Sequence, residues 1–481
     1  MTKERTNDAD VIIVGGGPAG SALGALLAMD GHRTLIIEKD IHPRDHVGES
    51  LVPSTNLVFD RIGFLDKMNE EGFTHKPGAA WTGPRSPLWK FVEVWLFEYP
   101  IAGGPQPYTY NVERDAMDTL LLRHAHDKGA KVLQGVKVKQ VLFEEGRAVG
   151  VRAHVADGWE RDLYAKYVVD ASGRRCLIAN QLKMRHHDPS FNQFCIYSWF
   201  ENVKQAPERL EGFSLFYFIG MNQAWAWQFP LRAGKTTVGV VLDKEDFQRS
   251  GQSHEEFFYS LVQKNDTLRD AMKDAKRIRP FWIEGDYSYT IDRFAGPGWL
   301  LAGDALRFVD PIFSSGVDVA LFSALHSYET LTEVMRTGRE ASAFEAYHRR
   351  VETGADIWYD MISMFYKIQN LITKFVTSPR HRESFVRALQ GNPYVLGAQE
   401  RSRALLAEMQ ESYERVMATP GSLLRPWAMD PEKNGTLTCP TCLGVADYWP
   451  EDEAFMCRRC GAKTSAGGYR PAGAETVLPG V

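Results

Sequence analysis

Asp10-Val11-Ile12-Ile13-Val14-Gly15-Gly16-Gly17-Pro18-Ala19-Gly20 is the stretch on which the fold turns. Its apolar half, Asp10 to Val14, reads as a buried parallel strand. Gly15, Gly17 and Gly20 make a G-x-G-x-x-G turn with Ala19 inside it. Ser21 to Met29 reads as a small-residue helix, and Thr34-Leu35-Ile36-Ile37-Glu38 as the next strand. Residues 9–40 are therefore a βαβ unit. Glycines let the backbone turn tightly and approach a pyrophosphate, and the helix start adds N–H donors and a positive dipole end. Glu38 is placed to accept from a ribose hydroxyl, and its charge repels a 2′-phosphate, which favours FAD or NAD over NADP. Standing alone, the glycine triplet has a plainer reading as a tight turn without ligand.

Working outward, a helix is expected from Arg114 to Lys128, with strand-rich stretches from Lys131 to Asp170 and from Phe191 to Leu242. Trp299-Leu300-Leu301-Ala302 is a short apolar strand opening onto Gly303-Asp304. From Gly316 to Gln410 the pattern is helical, with a break at Ser378-Pro379. The fold class is mixed α/β, with α+β character. A Rossmann-like core over 9–375 holds an inserted β-rich substrate part at about 75–110 and 180–295. A helical extension (376–417), a Pro/Gly-rich linker (418–436), a cysteine module (437–463) and a Gly/Ala-rich tail expected to be disordered (464–481) follow.

The chain has 481 residues, ordinary hydrophobic and charged content, and a net charge of -5 with no Lys/Arg stripe, which argues against nucleic acid as a partner. Its first residues are polar and charged, unlike a signal peptide, and Val11 to Met29 reads as strand-turn-helix rather than a membrane span. The simplest compartment is the cytoplasm. Of six cysteines, Cys176 and Cys195 stand alone and are expected to be buried thiols. Cys439-Pro440-Thr441-Cys442 and Cys457-Arg458-Arg459-Cys460 form two C-x-x-C knuckles, a zinc ribbon pattern rather than a disulfide scaffold. Four thiolates suit tetrahedral zinc, with rubredoxin-like iron as the rival. So small a module needs metal binding for its folding energy. The acidic loop Glu451-Asp452-Glu453 opposes nucleic-acid binding by this ribbon.

Two further segments sharpen the cofactor. Val168-Val169-Asp170-Ala171-Ser172-Gly173 is a strand ending in small residues, and Leu301-Ala302-Gly303-Asp304-Ala305 is a turn that aims Asp304 at a ribityl hydroxyl. With the glycine turn, these resemble the fingerprints of the group A flavin monooxygenase fold over residues 9–370. In that resemblance Arg114 stands near the pyrophosphate, and His46-Val47-Gly48-Glu49-Ser50 is the loop beside the flavin. The implied FAD-binding residues are Gly15, Gly17, Ala19, Gly20, Glu38, Ser50, Arg114, Asp304 and Gly316.

Three features resemble flavin-dependent halogenases. Ala224-Trp225-Ala226-Trp227-Gln228-Phe229-Pro230 is similar to that family's G-W-x-W-x-I-P motif, with Ala for Gly and Phe for Ile. On an extended segment the two indoles share one face. Phe308-Val309-Asp310-Pro311-Ile312-Phe313-Ser314-Ser315-Gly316 is similar to F-x-x-P-x-x-S-x-G, with Ser315 and Gly316 as a halide nest at a helix start. Lys76 lies in the stretch where the family carries its active-site lysine. The resemblance implies that FAD, reduced externally by a separate NAD(P)H flavin reductase, reacts with dioxygen, and that chloride or bromide becomes hypohalous acid. Trp225 and Trp227 wall the substrate off, and Lys76 delivers halogen to an electron-rich ring by hydrogen bond or as a haloamine. A desolvated lysine of lowered pKa suits either role.

Taken by itself, a lysine beside Pro-Gly is an ordinary surface residue, and His75 reads as a plain loop histidine. Tryptophan halogenases carry a glutamate where this chain has Phe313, so a phenol or pyrrole, free or tethered to a carrier protein, fits better than free tryptophan. The rivals are an FAD-dependent aromatic hydroxylase, a flavin-dependent C=C reductase, and a degenerate flavoprotein acting as a binding module. The missing second nucleotide fingerprint favours an external reductase. For the cysteine module, native mass spectrometry of the full chain is expected to find one zinc ion that a chelator removes; an iron mass or a metal-free chain overturns the assignment.

Overall fold

The computed structural model describes residues 6–418, apart from 85, 156–157, 189, 220–223, 286–287, 309, 392 and 395–397, together with short strands between 437 and 471. Two eight-stranded sheets organise the described residues. The first runs in the order Ala295–Gly296, Trp299–Leu301, Glu160–Asp170, Ala9–Val14, Thr34–Ile37, Lys131–Leu133. From Trp299–Leu301 to Lys131–Leu133 the pairing is parallel. Val14 pairs with both Asp170 and Ile37, and Asp170 with Leu301. Four strands therefore end level, at the edge where open parallel sheets bind ligands.

The helix that leaves this edge is Pro18–Met29, three residues ahead of the Ser21 start expected from sequence. Proline at the first helical position loses nothing, because the N–H it lacks has no intrahelical partner there. Ala19 and Gly20 consequently belong to the helix, and the turn is shorter than the motif suggests.

The second sheet runs Lys276–Arg277, Gln193–Glu201, Thr236–Asp243, Trp225–Pro230, Ser214–Phe218, Gly78–Thr82, Val92–Trp95. The double-Trp strand is thus central, buried on both faces. Trp225, Trp227 and Phe229 enter one core, shared with the first sheet and the long helices. Ala224 and Ala226 enter a second core, against the helix His254–Val262. This is the period of two of a strand. Trp227 pairs with Gly239 on the neighbouring strand, and its ring lies over that glycine.

Helices Ser315–Thr337, Glu340–Ile368, Ile372–Thr377, Arg382–Leu389 and Ala398–Ala418 complete this part, with the expected break after Thr377. No helix among the described residues is long and apolar enough to cross a membrane. Cys176 and Cys195 are buried free thiols. Beyond the linker, Ala446–Trp449, Ala454–Cys457 and Lys463–Ser465 form an antiparallel sheet, and Leu437–Thr438 pairs with Arg470–Pro471. Strands therefore continue past 463, where the sequence suggested a disordered tail. Cys439, Cys442 and Cys460 lie outside the described residues, as does the side chain of Cys457. Among the described residues no group of His, Cys, Asp or Glu could hold a metal.

A Cβ at position 239 would come within 2.2 Å of the Trp227 ring, so Gly239→Val must displace the indole. Overpacking of this kind costs about 1–3 kcal/mol. A denaturant melt of Gly239→Val should show a loss of that order, and an unchanged midpoint would contradict the packing.

Candidate active site

A cavity of about 640 Å³ extends from the glycine turn to the double-Trp strand. Gly15, Gly17, Ala19, Glu38, Ser50, Arg114, Asp304 and Gly316, all assigned to FAD from sequence, line it together with Trp225 and Trp227. Gly20 does not. Its Cβ position would lie 1.9 Å from the Gly15 carbonyl oxygen, so its lack of a side chain closes the turn rather than touching a ligand.

The cradle fits a dinucleotide. Gly15 has φ +112°, and a Cβ there would sit 2.2 Å from the Ala171 carbonyl oxygen, so only bare backbone passes. Glu38 is buried, accepting from Gly16 N (2.6 Å) and Asp40 N (2.9 Å). Its oxygens are thus oriented by the turn, each with a lone pair left for a ribose hydroxyl. Asp304 is half-buried on the cavity wall, and desolvation pushes its carboxyl up to about 6 against the opposing pull of Arg174 and Arg114.

Arg114 has a further part that the sequence did not show. Its Nε and Nη2 pair with Asp118 at 2.8 and 3.0 Å, and Nη1 donates to the carbonyls of Val47 (2.6 Å) and Gly48 (3.3 Å). These bonds brace the His46–Ser50 loop, while the side chain also lines the cavity. Arg44, which sequence reasoning passed over, lines the cavity beside Gly17, its guanidinium 3.7 Å from Asp118. Only the turn of the chain brings it there. Glu49 was likewise unassigned. It is buried on the cavity wall, accepts from the Trp199 indole, and is pushed by burial up to about 7 although hydrogen bonds from Thr237 and Trp199 favour its ionised form.

At the far end the indoles of Trp225 and Trp227 stand 5.8 Å apart at 46°. Both are buried in the sheet. Trp227 Nε1 donates to Thr237 Oγ1 (3.3 Å), and Trp225 Nε1 to the Tyr366 hydroxyl (3.0 Å). The neighbouring segment turns at Ser314, in the left-handed region at φ 56°, and starts the helix Ser315–Thr337. Gly316 lines the cavity. Ser314 lies beside it there, and the Ser315 side chain is buried in the helix start, where the expected nest calls on its backbone N–H. Phe313 packs against Trp358 and Phe365, with ring centroids 6.4 and 5.7 Å away.

Lys76 is not on the surface. It ends the strand Thr74–Lys76, paired with Thr109–Asn111, and is 3% exposed. Its Nζ donates to Ser50 Oγ (2.8 Å) and to the Leu51 carbonyl (2.7 Å). Ser50 lines the cavity, so one hydroxyl joins the amine to the cavity wall. Burial without a counter-charge brings the amine down to about 7. His75 is on the same strand rather than in a loop, exposed and stacked on Tyr108 at 3.8 Å.

The family model described as FAD binding domain matches residues 8–357. The chain is 38% identical over 431 residues to the 1H-pyrrole-2-carbonyl-(peptidyl-carrier protein) chlorinase of Pseudomonas fluorescens, covering 85% of this chain and 96% of that one. It is 31% identical over 463 residues to the flavin-dependent halogenase armH3 of Armillaria mellea, covering 91% and 89%. The myxobacterial chondrochloren halogenase CndH superposes with a TM-score of 0.71 at 30% identity, over 85% of this chain and 97% of that one. The flavin-dependent brominase Bmp2 does so with a TM-score of 0.75 at 26% identity, over 85% and 99%. A level-ended FAD cradle closed by paired indoles, in a chain with relatives matched over most of its length, places this protein among the flavin-dependent halogenases.

Proposed function

We propose that this enzyme halogenates a pyrrole-type ring carried as a thioester on a carrier protein, with Lys76 as the group that delivers the halogen. The carrying observation is the buried amine of Lys76, hydrogen-bonded to Ser50 on the cavity wall. Bound FAD, reduced by a separate NAD(P)H-dependent reductase, supplies with dioxygen the oxidising power that converts chloride or bromide to hypohalous acid.

The protein's own groups do the rest. The N–H groups at Ser315 and Gly316 open a 23-residue helix, and its positive end favours an anion. Trp225 and Trp227 close the cavity with apolar rings, keeping the organic substrate away from the flavin. Ser50 and the Leu51 carbonyl orient Lys76 Nζ, and a pKa near 7 leaves part of the amine neutral, with a lone pair to take electrophilic halogen. Phe313, packed on Trp358 and Phe365, offers no carboxylate to an amino-acid ammonium, which supports a ring lacking that charge. The similarity to the pyrrole-carbonyl chlorinase supports the carrier-bound pyrrole over a free phenol.

The C-terminal knuckles Cys439/Cys442 and Cys457/Cys460 would bind zinc with four thiolates and no open position, a structural role. Their spacing brackets the antiparallel strands Ala446–Trp449 and Ala454–Cys457, in keeping with a ribbon. The ribbon offers a docking element for carrier or reductase. Cytoplasmic residence suits the unpaired thiols of Cys176 and Cys195.

Two measurements test the lysine. Lys76→Ala, given reduced FAD, dioxygen, chloride and a carrier-bound pyrrole-2-carbonyl thioester, should still oxidise flavin but lose product by about a hundredfold or more, in the range set for a positioned catalytic group; product at the wild-type rate would remove Lys76 from its role. The second reads its protonation. Between pH 7 and 10.5 the unfolded chain binds a proton at Lys76 that the folded chain does not, so folding stability gains from this group as pH rises through that window. Lys76→Met should flatten this rise in melting temperature, and an identical slope in both proteins would place the amine in water.

A further inference from the structure

Of the two indoles at the cavity end, Trp227 is tied within its own sheet, to Thr237 on the adjacent strand. Trp225 is tied elsewhere. Its Nε1 donates to the Tyr366 hydroxyl (3.0 Å), which sits on the last turn of the helix Glu340–Ile368. That hydroxyl donates in turn to Asp310 Oδ2 (2.9 Å), and Asp310 Oδ1 accepts from Ile312 N (2.9 Å). All three side chains are buried. Asp310 stands next to Pro311, and Pro311, Ser314 and Gly316 line the cavity. The chain indole–phenol–carboxylate thus links the wall to the segment that carries the halide nest.

We propose that Tyr366 and Asp310 are positioning residues that hold the Trp225 indole in register with the 308–316 segment, so that the wall stays shut where halide is oxidised. The inference rests on the wall reading above and goes beyond it by naming what fixes one ring. A tryptophan ring packed among aromatic neighbours (Phe216 at 5.8 Å, Trp227 at 5.8 Å) keeps its area of contact through small rotations. Its N–H does not: a buried donor left unpaired is penalised, so the bond to Tyr366 selects one orientation. The Tyr366 hydroxyl has one hydrogen and accepts from Trp225, so that hydrogen is free for Asp310 alone. The carboxylate therefore fixes the direction of the whole chain. Tyr366 and Asp310 do not themselves line the cavity, so they act on it through the Trp225 ring.

The test needs no organic substrate. Enzyme charged with reduced FAD is mixed with oxygenated chloride buffer, and hydrogen peroxide released per flavin oxidised is measured for wild type, Trp225→Phe, Tyr366→Phe and the double variant. A wall that no longer shuts admits water and leaks peroxide. Tyr366→Phe removes the bonds to both Trp225 and Asp310; loss of the one neutral bond that orients the indole should raise the leak about fivefold. Because Tyr366 acts through the ring, Tyr366→Phe should add nothing in the Trp225→Phe background. If Trp225→Phe alone leaves the leak unchanged, the wall reading fails and this inference with it. If Trp225→Phe leaks and Tyr366→Phe does not, or if the two effects add, the wall stands and the tether is overturned. Should Tyr366→Phe give too little folded protein, Asp310→Asn carries the same comparison: a leak that vanishes in the Trp225→Phe background supports the tether, and one that persists or never arises overturns it.

Discussion

The site depends on how closely two strands approach at their ends. Gly15 follows the strand Ala9–Val14, and the Ala171 carbonyl oxygen lies where its side chain would be. With no Cβ at 15, the parallel strands stay paired to their last residues, Val14 beside Asp170. The level edge follows from that register. So do the helix start at Pro18, the reach of Glu38 to Gly16 N, and the position of Ala302 and Asp304. Displace Gly15 and the cradle loses its floor.

The second constraint is desolvation. The double-Trp end of the cavity is a meeting of a buried sheet with long helices, and several polar groups enclosed there are bonded to one another. Ser50 links Lys76 to Ser214, which donates to Asn111. Asp318 accepts from Ser54 and Trp358 and is pushed by burial up to about 8. Asp310 closes the chain from Trp225 and is pushed up to about 7. Carboxyls and an amine are shifted in opposite directions by one cause, the removal of water. The dry setting that holds these groups also narrows the charge difference between them at neutral pH.

How much of this was legible in the sequence varies with the range of the interaction. The cradle was: the glycine turn, Glu38, Asp304 and the double-Trp strand are local patterns whose meaning is set within a few residues. Lys76 was legible as a position, through its resemblance to a family motif, but not as a buried group, since a lysine beside Pro-Gly carries no local sign of burial. Arg114 was assigned to pyrophosphate because its helix position fits; its pairing with Asp118 one turn on and its bonds to the carbonyls of Val47 and Gly48 were not legible, since the loop meets the helix only in the fold. The motif marks a spacing and not a backbone angle, so it did not reveal the left-handed turn that puts Ser314 beside Gly316 on the cavity wall. Arg44 and Tyr366 had no local signal at all, and Glu49 only its place in the loop expected beside the flavin. Their roles arise from chain segments that meet only after folding, in the case of Tyr366 and Trp225 across 141 residues.

Trp227 and Gly239 form a lock of another kind. The ring fills the volume that any side chain at 239 would need, and the glycine leaves a hole that any smaller residue at 227 would fail to fill. A step at either position alone meets a clash or a void. A change at either position alone therefore costs stability, and a matched change at both costs least. The indole at 227 is thus held in place by the volume of its neighbour, independently of any chemistry in the cavity.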